Sequence, residues 1–138
     1  MASRNKAREL ALQMLFQFDV GQHSVEHVIA TFLVPRRLDP ETETFARGLF
    51  EGAAGSVQSL DQLIKERATH WRLDRMAAVD RNILRLALFE LTHYPETPPA
   101  VVINESLELA RRFSQGGSVE FVNGVLDAVR KSLPPANG

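Results

Sequence analysis

Apolar residues recur every three or four positions through almost the whole chain, and no stretch keeps the alternation a strand would need. That period commits the chain to helices packed on helices. The segment from Arg75 to about His93 constrains the packing most. Met76, Val79, Ile83, Leu84, Leu86, Ala87, Leu88 and Leu91 cover most of its circumference. A helix apolar on nearly every side must be surrounded by others, so this one, the fifth, belongs at the centre. Asp74 caps its start, and Pro95 limits its end.

The remaining stripes fill in the order. Ser3 caps a first helix carrying Ala7, Leu10, Ala11, Met14, Leu15 and Phe18, ended by Gly21. Val25, Val28, Ile29, Phe32 and Leu33 predict a short second helix that stops before Pro35. Asp39, Pro40 and Glu41 read as cap, first-turn proline and first-turn acid of a third, which buries Phe45, Ala46, Leu49, Phe50 and Ala53. Ser56 caps a fourth through Leu60, Leu63, Ile64 and Ala68. Pro98-Pro99 opens a sixth with Val102, Ile103, Leu107, Ala110 and Phe113 on one side. Gly116-Gly117 breaks the chain, and Ser118 caps a seventh with Phe121, Val122, Val125, Leu126 and Val129. The expectation is an all-α fold, a compact bundle of about seven helices forming one domain over residues 1–133, with 134–138 a frayed tail.

Composition removes several function classes. The chain has 138 residues and 0 cysteines, which excludes thiol catalysis, cysteine-ligated zinc, iron–sulfur clusters and disulfides together. The net charge of −1 excludes an evenly positive coat but not a local basic patch. Lysine occurs only at Lys6, Lys65 and Lys131, so 16 − 3 = 13 of the basic residues are arginine, the better partner for phosphate. The most apolar runs, such as Leu84–Leu91, are too short to cross a membrane. Gln13 and Gln17 interrupt the only leader-like stretch, and the expected compartment is the cytoplasm.

Few residues stand out as chemistry. On the first helix, Phe16 projects away from the Leu10, Met14 and Phe18 stripe, in company with Asn5, Glu9 and Leu12 and flanked by Arg8 and Gln13. Two readings stay open: packing against another helix, or a stacking platform for a nucleobase with nearby cations on phosphates. Arg4, Lys6 and Arg8 put positive charge at a helix start, where it opposes the dipole unless an anion binds. Asp80 faces the core side of the fifth helix, with Glu90 near the edge of that side. An acid–base pair is one reading. The better one is an ion pair with an arginine such as Arg75 or Arg111, or a hydrogen bond to a helix terminus. His23 and His27 have ligand spacing but no third ligand, and Ser114–Gly117 lacks the lysine of a phosphate loop. No metal or cofactor is expected.

Read together, several stretches resemble the family of the bacterial transcription antitermination factor NusB. They are Ala7-Arg8-Glu9 with Ala11, Gln13 and Leu15; Val79-Asp80-Arg81-Asn82-Ile83-Leu84-Arg85-Leu86-Ala87; Ile103-Asn104-Glu105 with Glu108-Leu109-Ala110; and Phe121-Val122-Asn123-Gly124-Val125-Leu126-Asp127. The resemblance implies two packed helical sub-bundles and no catalysis. It also implies binding of the boxA segment of nascent ribosomal RNA jointly with the ribosomal protein NusE, within the RNA polymerase antitermination complex. A homodimer is compatible with it. The RNA surface that it implies falls on Arg4, Lys6, Arg8, Gln13 and Phe16, with Phe121 at the start of helix seven, a residue that also lies on its own helix's apolar stripe. The chain departs from the family in three places. Asn5 interrupts the basic segment, Phe16 stands where tyrosine is common, and Gln115-Gly116-Gly117 stands where acids are frequent.

Two rival readings follow from the same residues. One is the helical RNA-binding domain of ribosomal RNA cytosine methyltransferases, whose catalytic domain and cysteine these residues do not contain. The other is a protein-only adaptor docking through exposed Phe16 and Phe89. A protein partner is to be sought on the exposed side of the fifth helix and the turn His93–Thr97.

Overall fold

The computed structural model describes residues 3–68 and 75–133. Among them are seven α-helices and no strand: α1 (Arg4–Asp19), α2 (Val25–Val28), α3 (Pro40–Gly55), α4 (Val57–Arg67), α5 (Ala78–His93), α6 (Pro99–Phe113) and α7 (Ser118–Ser132). Helix α5 touches α1, α3, α4, α6 and α7; α1 packs on α3, and α7 packs on both α6 and α4, so two helical groups share α5. Every residue from Asn82 to Glu90 is buried, as a stripe running around the whole helix requires. The fifth helix therefore has no exposed side along this stretch to offer a partner.

Three start signals act as their chemistry dictates. The Ser3 hydroxyl accepts the Lys6 N–H at 3.2 Å. The Asp39 carboxylate accepts the Thr42 N–H at 3.0 Å and the Thr42 hydroxyl at 2.7 Å. Pro99 occupies the first turn of α6, where its missing N–H costs nothing. Ser3 N–H also donates to the Thr42 hydroxyl at 3.0 Å, so α1 and α3 begin side by side.

Four local expectations are corrected. Helix α2 does not stop before Pro35: it continues as a π turn (Ile29–Leu33) and a 3-10 turn (Val34–Arg36) that holds the proline near its start. Helix α5 starts at Ala78 rather than Arg75, and Asp74, its expected cap, lies outside the described residues, as does the tail 134–138. Gly117, not Ser118, occupies the cap of α7, with φ +89, a conformation that favours glycine. Phe89 is buried, not exposed: its ring fills the space above Gly52, where a Cβ would collide with it.

Candidate nucleic-acid interface

Helix α1 turns by roughly 100° per residue, so positions four apart share a side and positions seven apart share it closely. Lys6 and Gln13 are one such seven-residue pair, and Glu9 and Phe16 are another. These four form one side of α1, and Arg4 and Arg8 form a different one. The basic triplet at the start of the chain is thereby divided.

Arg4 turns toward α3. Its guanidinium lies 4.4 Å from the centre of the Phe45 ring, and its Nη1 reaches the Thr97 hydroxyl at 3.5 Å. The Phe45 ring in turn meets Tyr94 edge-on at 5.5 Å. Arg4 stays exposed and keeps donors for an anion.

The expected phosphate contact at Arg8 is corrected. Arg8 is only 6% exposed, and its Nε and Nη2 donate to the two Glu90 carboxylate oxygens at 2.8 and 2.6 Å. Its Nη1 donates to Asn5 Oδ1 at 3.2 Å. A guanidinium engaged in this way ties α1 to α5 and does not face solvent. The acid–base reading of Glu90 falls with it.

Phe16 lies outside the core, 37% exposed, on the side of α1 that carries Lys6 and Gln13. Val20, one turn further on, is exposed as well. Gln13 is half-buried, and Lys6 is exposed, with its Nζ 4.0 Å from Glu9 Oε1. The same Glu9 carboxylate holds Arg112, from the last turn of α6, with Nη1 at 3.2 Å from Oε2. Arg112 also lies 4.9 Å from the ring centre of Phe113, which is exposed rather than buried with its helix's stripe. Sequence reasoning missed Arg112, because two arginines in a last turn read as ordinary complements of the helix dipole. Only the tertiary fold brings the end of α6 close enough for the Arg112 side chain to reach Glu9.

Phe121 is half-buried and packed against the core at the start of α7. The turn before it is held from below. Asp80, buried in α5, accepts hydrogen bonds from the hydroxyls of Ser114 at 2.6 Å and Ser118 at 2.8 Å, one on each side of the Gln115–Gly117 turn. Neither Arg75 nor Arg111 pairs with it. Ser118 stands at a helix terminus, so that alternative is the one realised.

A second polar cluster pins the other end of α1. Asp19 Oδ2 accepts from Arg81 Nη2 at 2.7 Å and Asn82 Nδ2 at 3.1 Å, and Arg85 Nη1 lies 3.1 Å away. Burial pushes the Asp19 carboxyl up, but the hydrogen bonds from Arg81 and Asn82 and the charges of Arg85 and Arg81 outweigh it and hold the pKa below the ordinary value. Arg85 also grips Asp61 bidentately, with both contacts at 2.8 Å.

Among the described residues, no group of three or more histidines and acids could hold a metal ion, and no helix is long and apolar enough to cross a membrane. His23 and His27 stack on one another at 4.9 Å.

The fold defines an all-helical protein whose helices pack around α5, with an exposed ring on one side of α1. The NusB family model matches residues 5–131, and the chain belongs to that family. It is 55% identical to the transcription antitermination protein NusB of Koribacter versatilis (strain Ellin345) over 132 residues, covering 95% of this chain and 90% of that one. The NusB of Solibacter usitatus (strain Ellin6076) is 48% identical over 139 residues, with 99% and 94% covered. Among solved structures, NusB of T. maritima superposes with a TM-score of 0.91 at 32% identity, covering 99% of this chain and 97% of that one. A chain from a crystal structure of antitermination factors NusB and NusE in complex with double-stranded RNA superposes with a TM-score of 0.85 at 25% identity, with 94% and 97% covered.

Proposed function

We propose that this protein is an antitermination factor that binds boxA-type single-stranded leader RNA of ribosomal RNA operons jointly with the ribosomal protein NusE. In that complex it promotes processive transcription by RNA polymerase. The observation that carries the reading is the exposure of the Phe16 ring on the side of α1 that presents Lys6 and Gln13. An unpaired base offers a flat face for the ring, worth about 1–3 kcal/mol of stacking. Lys6 and Arg4 supply phosphate contacts, and the Gln13 amide supplies donors and an acceptor for a base edge. The family resemblance adds Phe121, half-buried at the start of α7, as a further contact. Arg8 acts from behind, by fixing α1 on α5.

The similarity to a NusB chain solved with NusE and RNA supports both partners. That complex holds a duplex, whereas ring stacking favours unpaired bases, since paired bases in A-form RNA keep their faces covered. The test is titration of a boxA-like single strand and of the same sequence as a duplex, with and without NusE, at two salt concentrations. The expected result is salt-sensitive binding that prefers the single strand and tightens with NusE. Equal binding of duplex and single strand would remove the stacking role, and no salt-sensitive binding of either would leave a protein-only adaptor.

A further inference from the structure

We propose that Lys6 of α1 and Arg112 at the end of α6 form a phosphodiester subsite, with the Glu9 carboxylate occupying it in the free protein. The inference rests on the RNA reading above and extends the surface to α6. Lys6 approaches one Glu9 oxygen at 4.0 Å and Arg112 the other at 3.2 Å. The two cations keep 52% and 53% of their side chains exposed, while Glu9 keeps only 15%. An anionic oxygen pair thus already sits between two solvent-facing cations that belong to helices far apart in sequence. A phosphodiester presents the same pair of charged oxygens, and a guanidinium binds either group through parallel N–H bonds. Phe16 lies two turns from Glu9 on the same side of α1, so a base on its ring and a phosphate between Lys6 and Arg112 would share that side. Both cations are half-exposed, so each can leave Glu9 for another anion at little cost to folding.

The Glu9 charge then opposes RNA, and removing it strengthens binding. The experiment measures single-stranded boxA-like RNA affinity across a salt series for the wild type, Arg112→Ala, Glu9→Gln and Phe16→Ala, with melting temperatures alongside. Arg112→Ala should weaken binding and reduce the salt slope by about 0.7, the loss of one phosphate contact to a single strand. Glu9→Gln should bind more tightly than the wild type, with all melting temperatures close to the wild-type value. If Phe16→Ala weakens binding while Arg112→Ala leaves affinity and slope unchanged, the subsite is refuted and the RNA reading stands. A looser complex with Glu9→Gln would also refute it. If no variant differs from a wild type that binds without salt dependence, both readings fall.

Discussion

Arg8 and Glu90 form a bidentate ion pair inside the protein, at 2.8 and 2.6 Å, between the first turns of α1 and the last turns of α5. Truncating either partner leaves the other charge buried and alone, which costs about 3–5 kcal/mol. Arg8→Ala and Glu90→Ala should therefore each lose that much in denaturant unfolding. Arg8→Lys should recover only part of it, because an ammonium cannot reproduce the paired geometry. A stable Arg8→Ala protein with impaired RNA binding would instead return Arg8 to the surface.

The Asp80 carboxylate holds the α6–α7 turn through Ser114 and Ser118. Asp80→Ala strands the Ser118 hydroxyl in a buried position, a loss of about 1–3 kcal/mol. Hydrogen exchange should quicken at residues 114–118 more than elsewhere. Unchanged stability and exchange would mean that the turn is held by its backbone alone.

The acid side of the stability profile follows from Asp19. Its folded pKa is depressed, by hydrogen bonds and arginine charges that outweigh burial. Such a group stabilises the fold above the unfolded value, near 4, and the contribution is lost as pH falls through the lower folded value. Melting temperature should drop below about pH 4, and Asp19→Asn should flatten that part of the profile. An identical acid limb in the variant would assign the drop to other carboxylates.

Much of this fold was legible because helical periodicity, proline and serine starts are local signals. The all-round apolar stripe of α5 placed it at the centre, and residues 82–90 are buried accordingly. The site was less legible. Phe16 stood out because an aromatic ring on a polar side has no local explanation. Arg8 was misread because a charged residue near a chain start looks solvated, and its partner Glu90 lies 82 positions away. Arg112 was invisible for the same reason: Glu9 is 103 positions away. The motif acids and arginines of α5 proved to be packing groups, each satisfied by a partner that only the tertiary fold supplies.

The most direct test of the proposed RNA surface is Phe16→Ala, measured for single-stranded boxA-like RNA affinity and for melting temperature in the same buffer. Loss of stacking should weaken binding by about 1–3 kcal/mol while the melting temperature stays near the wild-type value. Phe16→Tyr should keep the affinity, because it keeps the ring face. A fall of many degrees in melting temperature with unchanged affinity would contradict the account, since Phe16 would then be a packing residue.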